Sequence, residues 1–273
     1  GTLGIITAAT LKLFPPPAAT HTAWLAVPSM ARALDLLALA RRRMGDGLTG
    51  FEVMSAETIA LLARRFPQLR IPLAPAGEAG CCVLLEAATD DAGDAAQARF
   101  EALLAEAAAT GCASDAVPAG SLAQARAFWQ LRESIPAAQA AEGLNIKHDI
   151  ALPVSAIPAF LADCGARLAG AVPGARRVVF GHLGDGNLHY NVQAPEGVDA
   201  AAFLRDEETR VNGIVHDAVA AHGGSISAEH GIGALKRDLL PRYKSPVALD
   251  MMRAIKHALD PMGLMNPGKV LGP

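Results

Sequence analysis

Two kinds of apolar pattern alternate along the chain. Short runs rich in β-branched and apolar residues, at 22–28, 49–55, 81–88, 144–151, 176–183 and 188–193, read as strands. The longer stretches between them carry apolar residues at helical spacing. Ser29 is placed to cap a helix that runs to about Arg43. Further helices are predicted over about 56–65, 93–110, 120–142, 154–169 and 200–222, with one or two more across 234–258. The opening GTLGIITAATLKLF nearly alternates and predicts one or two strands, which the stiff linker Pro15-Pro16-Pro17 ends. Several connections are hairpin-length, so the pattern favours an α+β fold over a doubly wound sheet. The expectation is an antiparallel sheet flanked by helices, with the helices gathered on one face.

Composition narrows the functional classes. Against 27 Asp+Glu stand 24 Lys+Arg, a net charge of −3 that supplies no basic surface for nucleic acid. No run approaches the roughly 18 uninterrupted apolar residues of a membrane span. The four cysteines form no CxxC pair and read as reduced, buried thiols of a cytoplasmic protein. The chain opens without Met, charged n-region or cleavage-site pattern, so it reads as a piece of a longer protein. Residues 1–17 are then the end of a preceding domain and its Pro linker, and 18–273 a second domain.

Chemistry concentrates in three late motifs: Gly181-His182-Leu183-Gly184-Asp185-Gly186-Asn187-Leu188-His189, Ser227-Ala228-Glu229-His230-Gly231, and Asn266-Pro267-Gly268-Lys269. Asp185-Gly186 between apolar strands signals a two-residue type I′ hairpin. Folding about that dipeptide sets His182 opposite His189, with side chains on one face and Cβ atoms roughly 4.5–5.5 Å apart. Asn191, two residues on, shares that face. Two imidazoles so placed can chelate a metal ion, and Glu229 is the natural third ligand of an open site. Zn²⁺, Mn²⁺ and Fe²⁺ all suit two imidazoles and a carboxylate. His230 would then stand beside the metal as a proton acceptor. On spacing alone the pair serves equally as ordinary hydrogen-bonded histidines. His21, His148, His216, His222 and His257 read as packed or surface residues, and Asp185 as a turn residue. Gly263–Lys269 matches GxxxxGK, yet Val270 stands where a phosphate loop needs Ser or Thr. No GxGxxG follows a strand.

These residues resemble the C-terminal half of FAD-linked oxidases of the vanillyl-alcohol oxidase superfamily, and within it the D-2-hydroxyglutarate dehydrogenase, D-lactate dehydrogenase and glycolate oxidase catalytic-subunit family. GTLGIIT is similar to the end of the family's FAD-binding domain, GHLGDGNLH and SAEHGIG to its substrate-domain signatures, and NPGKVL to its ending. The resemblance implies a substrate domain built as an antiparallel sheet flanked by helices. It also implies a divalent ion on His182, His189 and Glu229, with His230 as general base. Arg132, within Trp129-Gln130-Leu131-Arg132-Glu133, is similar to the residue that binds the substrate carboxylate. Lys147 and Asn191 match further substrate contacts, and Asn266 and Lys269 match residues near the flavin. Without the resemblance, Arg132 reads as half of a helix-surface salt bridge.

Oxidation of a D-2-hydroxy acid to a 2-oxo acid is the implied reaction, with C2 giving hydride to FAD held mainly by the preceding domain. The implied metal is Zn²⁺, with Mn²⁺ or Fe²⁺ as substitutes. The partners are a small 2-hydroxy acid and an electron acceptor whose identity the sequence leaves open, with a homodimer as a further option. One position departs from the D-2-hydroxyglutarate dehydrogenases: Pro136 stands where they resemble one another in a Thr that holds the distal carboxylate. That weakens 2-hydroxyglutarate relative to lactate, glycolate or another hydroxy acid. Two other classes compete, a metal-dependent hydrolase and a non-catalytic cap with a vestigial metal site.

Overall fold

The computed structural model describes residues 1–91 and 93–272. In chain order the elements are β1 (Ala19–Val27), α1 (Met30–Met44), β2 (Leu48–Ser55), α2 (Ala56–Arg65), β3 (Cys81–Thr89), α3 (Asp94–Ala109), β4 (Asp115–Pro118), α4 (Leu122–Glu133) and α5 (Ile135–Glu142). They continue with β5 (Asn145–Ile146), β6 (Asp149–Ala151), α6 (Ile157–Ala171), β7 (Arg176–His182), β8 (Asn187–Gln193), α7 (Ala200–Ala221), α8 (Leu240–Tyr243) and α9 (Pro246–Leu259). The strands form one antiparallel sheet in the order β4-β1-β3-β2-β7-β8-β5, with β6 also paired to β8. Ser29, Ser55, Ser121, Asp199 and Ser245 each cap a helix by accepting the backbone N–H three residues on, which marks where the strands and loops give way.

Helices cover both faces of the sheet, where the sequence suggested one. On the first face α1, α3, α6 and α7 bury Leu36, Leu103, Phe160 and Val215 against Leu25, Val53, Val83 and Tyr190. On the second, α2, α4 and α5 bury Leu62, Phe128, Leu131 and Ile135 against Trp24, Met54, Leu84 and Phe180. Strands buried on both faces lose polar alternation, which is why TAWLAV and CCVLL are continuous apolar runs.

Four further differences from expectation have physical causes. The predicted opening strand is absent: residues 1–17 form no strand, and Ile5, Ile6, Leu11, Leu13 and Phe14 are exposed, because near-alternation makes a strand only beside a partner. The helix expected over 120–142 divides at Ser134, where Pro136 is accommodated in the first turn of α5. The strand expected over 144–151 breaks at Lys147-His148 into β5 and β6. The short β4, unforeseen, pairs along β1 and ends in Pro118.

The hairpin register also differs. His189 lies opposite Phe180, two residues from the expected His182, and His182 instead pairs with Glu52 on β2. A 3₁₀ turn over Leu183–Asp185 lengthens the loop, and Gly186 closes it in the left-handed region at φ 73°. A Cβ at Gly186 would stand 2.1 Å from the Leu152 carbonyl oxygen, so only glycine fits. A two-residue shift preserves side-chain parity, so His182, His189 and Asn191 still share one face, that of Phe180.

Candidate active site

On that second face, α4 and α5 leave a cavity of about 540 Å³ open beside β2, β7 and β8. Arg132, Lys147, His182, His189, Asn191, Glu229 and His230 all line it, as do Glu52, Trp129, Pro136 and Phe180.

Arg132 reaches the cavity through helical periodicity. Phe128 and Leu131 anchor α4 to the sheet, and Arg132, four residues after Phe128, lies on the same buried face. Burying two such side chains stabilises the contact by about 4 kcal/mol in total. Trp129 closes over Gly50, whose absent side chain admits the indole, and donates from Nε1 to Glu86 Oε2 at 2.7 Å. The Arg132 guanidinium sits 4.8 Å above the Phe180 ring and donates from Nε to Glu52 Oε2 at 2.7 Å. Among the described residues neither of its Nη groups has a protein partner. This is a largely buried ion pair, with Arg132 11% and Glu52 4% exposed, and not the helix-surface bridge that the sequence alone suggested. Lys147 enters from the break between β5 and β6 and is exposed.

Glu229 Oε1 stands 3.3 Å from His189 Nε2, and its Oε2 4.0 Å from His182 Nε2. Burial, and then the charge of Arg132, push the His189 pKa down, which favours the neutral imidazole. His182 turns its Nδ1 to Glu52, leaving Nε2 toward Glu229. The His230 ring lies 5.7 Å from that of His189, centroid to centroid, and is 61% exposed. Asp149, Glu229, His189 and His230 offer ligand atoms all within 4.8 Å of one another.

Asp149 is the organising acid of this corner. Paired with His189 across β6 and β8, it accepts hydrogen bonds from the backbone N–H of Ala228 at 3.0 Å and of His230 at 2.8 Å, and from Asn187 Nδ2 at 2.9 Å. Burial alone raises the Asp149 pKa, but the His230, Asn187 and Ala228 bonds outweigh it and hold the carboxyl below the ordinary carboxylate range. With its oxygens so occupied, Asp149 fixes the Glu229-His230 loop to the sheet. Asn191 has a similar bracing role: its Oδ1 accepts from His148 N–H at 3.0 Å and its Nδ2 donates to Gln139 Oε1 at 2.8 Å. One amide proton of Asn191 is left for the cavity.

Asn266 and Lys269 lie elsewhere. They line a second cavity of about 710 Å³ with α9 and residues 2–3, which shares no lining residue with the first. Asn266 takes φ 45° and donates to the Gly1 carbonyl oxygen at 2.6 Å. The tail meets the motif loop through Val270 N–H, which donates to Gly233 O at 2.7 Å.

Sequence reasoning missed Glu52 and Asp149. The available signal was a carboxylate inside a strand that is otherwise apolar on both faces, as in Phe51-Glu52-Val53-Met54.

Comparison with known proteins agrees with the fold. The chain is 35% identical over 99% of its length to the mitochondrial D-2-hydroxyglutarate dehydrogenase of Bos taurus, covering 47% of that protein. It is 38% identical over 99% of its length to the D-2-hydroxyglutarate dehydrogenase of Xanthomonas citri pv. viticola, covering 55% of it. The chain thus spans about half the length of the curated relatives it matches. Among solved structures, p-cresol methylhydroxylase with substrate bound superposes with a TM-score of 0.67 at 13% identity, over 94% of this chain and 53% of that one. Alkyldihydroxyacetonephosphate synthase does so at 0.59 and 15%, over 98% and 48%. The family described as FAD linked oxidases, C-terminal domain, matches residues 16–270, and the chain belongs to it.

Proposed function

We propose that the chain is the substrate-binding part of an FAD-dependent dehydrogenase that oxidises a D-2-hydroxy acid to a 2-oxo acid. What carries this reading is the meeting, in one cavity, of a carboxylate-binding pair, Arg132 and Lys147, with an imidazole–carboxylate cluster, His182, His189, Glu229 and His230. The donor types suit a divalent ion: bonds of about 2.0–2.2 Å put ligand atoms roughly 3–3.5 Å apart, a spacing Glu229 and His189 already have at 3.3 Å, while His182, 4.0 Å from Glu229, must draw closer to join them. Once bound, the ion would supply positive charge that acidifies a substrate hydroxyl, and flavin a two-electron acceptor. We assign Zn²⁺ to the site, with Mn²⁺ and Fe²⁺ as chemically suitable substitutes.

The chain's own residues do the positioning and the proton transfer. The free Nη groups of Arg132 suit a two-pronged hold on the substrate carboxylate, and Lys147 adds a point charge. His230 is the base: its ring stands beside that of His189 at the cavity and is 61% exposed, free to take the hydroxyl proton. Asn191 fixes the Lys147-His148 backbone and offers its remaining amide proton to substrate. Phe180 and Trp129 shield this part of the cavity from water. Asn266 and Lys269 belong to the flavin-facing tail in this reading. Pro136 in the cavity wall offers no hydrogen bond to a second carboxylate and weighs against 2-hydroxyglutarate, to which the relatives' names point, so the substrate is assigned only to the class of D-2-hydroxy acids. The four cysteines, all free and buried, suit a cytoplasmic location.

The test is metal analysis of the full-length protein with His182→Ala and His189→Ala, each assayed for flavin bleaching by a panel of D-2-hydroxy acids. Near-stoichiometric metal in wild type, lost with bleaching in both variants, supports the proposal. Bleaching that persists in metal-free variants refutes the metal's role, and no bleaching by any hydroxy acid refutes the substrate class.

A further inference from the structure

Glu52 stands outside every motif, on β2, yet its carboxylate touches both halves of the site. Its Oε2 accepts from Arg132 Nε at 2.7 Å, and its Oε1 lies against His182 Nδ1. The side chain is 4% exposed, and β2 pairs directly with β7 at Glu52 and His182. We infer that Glu52 is a positioning residue that locks His182 in the tautomer presenting Nε2 and, with its other oxygen, aims the guanidinium of Arg132 at the substrate.

The argument is one of acceptors and donors. An ionised carboxylate accepts at both oxygens and donates at neither. Facing it, His182 must carry its proton on Nδ1, which leaves Nε2 a lone pair directed toward Glu229. Arg132 meets the same constraint through Nε, so the fork of its two Nη groups points away from Glu52. The Phe180 ring beneath the guanidinium removes the other freedom of that side chain. Glu52 therefore ties ligand orientation and carboxylate recognition to one buried group. A Gln at this position has one acceptor oxygen and one donor nitrogen. If the oxygen serves Arg132, the nitrogen meets His182 Nδ1 and drives the proton to Nε2, blocking ligation. If the oxygen serves His182, Arg132 loses its brace.

This inference rests on the proposed metal-assisted reading, and its test separates the two. Full-length wild type, Glu52→Gln, Glu52→Asp, His182→Ala and the Glu52→Gln/His182→Ala double variant are titrated with Zn²⁺ against a chelator of known affinity. They are also titrated with Co²⁺ to read the ligand-field spectrum. Wild type that binds no metal overturns both the reading and the inference. With metal bound by wild type and measurably weakened in His182→Ala, Glu52→Gln should weaken Zn²⁺ by about 10–100-fold and alter the Co²⁺ spectrum. The double variant should bind no more weakly than His182→Ala, because Glu52 acts through that ring. KM for the hydroxy acid should rise in Glu52→Gln through Arg132, and Glu52→Asp, which keeps both acceptors, should recover part of each effect. Unchanged affinity and spectrum in a folded Glu52→Gln would overturn the inference alone. If Glu52→Gln fails to fold, Glu52→Asp decides by the same readouts, and wild-type values there overturn it.

Discussion

Replacing Asp149 by Asn perturbs the joint between the sheet and the Glu229-His230 loop at almost constant volume. Asp149 accepts three hydrogen bonds while its side chain is 1% exposed: two backbone N–H groups on Oδ2 and Asn187 Nδ2 on Oδ1. An Asn that keeps its oxygen toward Ala228 and His230 turns an NH₂ toward Asn187, so one bond becomes a buried donor–donor contact. The other two lose their ionic character. Hydrogen bonds to a charged group are worth about 1.5–3 kcal/mol and neutral ones roughly half that, so the loop should loosen by about 2 kcal/mol. That corresponds to a roughly 30-fold shift in the local opening equilibrium. Amide hydrogen exchange reads it directly, because Ala228 and His230 N–H are the bonded groups. Their protection should fall about 30-fold while the amides of β3 keep theirs. The folded carboxyl titrates below its ordinary value, so its contribution is complete above about pH 4 and fades as pH falls through the lowered folded pKa. The variant should lack that part of the acid response. Unchanged protection at Ala228 and His230 in a correctly folded variant would show that Asp149 does not hold the loop.

Other outcomes follow from the same geometry. Gly186→Ala combines a left-handed φ with a Cβ 2.1 Å from Leu152 O, and should lower stability by more than about 2 kcal/mol in urea melts; near-neutrality would contradict the hairpin described. Arg132→Ala leaves the buried Glu52 charge without its ion-pair partner and should cost about 3–5 kcal/mol of stability, whereas Arg132→Lys should mainly raise KM for the hydroxy acid. His230→Gln should lower kcat by about 10²–10⁴-fold with metal content retained, and metal loss in that variant would make His230 a ligand instead of a base. Burial lowers the pKa of His148 to about 3 and of His216 to about 4. Both imidazoles are therefore neutral when folded, and below about pH 6.5 only the unfolded chain takes up their protons. Stability should fall with acid by up to about 1.4 kcal/mol per pH unit for each, and His148→Gln or His216→Phe should flatten the slope by about one proton.

Most helices were legible because their ends carry chemical punctuation. Ser29 caps where expected, and α2 occupies the predicted 56–65 behind a Ser55 cap that the sequence reading did not name. The pocket's face was also legible, although its register was not. Asp185-Gly186 promised a two-residue turn, but the 3₁₀ turn packs Leu183 into the core and shifts the pairing by two, leaving parity and hence the shared face intact. Pro136 misled by looking like an interior helix residue, when it belongs to the first turn of a new helix. Residues 1–17 misled in the opposite sense, since local alternation says nothing of whether a neighbouring strand exists. Glu52 and Asp149 could not be ranked from sequence, because their roles depend on partners 80 and 79–81 residues away, Arg132 for one and the Ala228–His230 loop for the other.

The break at Lys147-His148 has a second effect, on the sheet's outer border. At that end the border is made of β5 and β6, two and three residues long and interrupted by a lysine. At the other end β4 has four residues and finishes in Pro118, which has no N–H to offer. A row of unpaired backbone groups long enough to recruit a strand from a neighbouring molecule is therefore missing at both ends among the described residues. The kink that turns Lys147 toward the cavity also protects the domain from edge-to-edge aggregation, so a substitution that straightened β5 into β6 should reduce solubility as well as substrate binding.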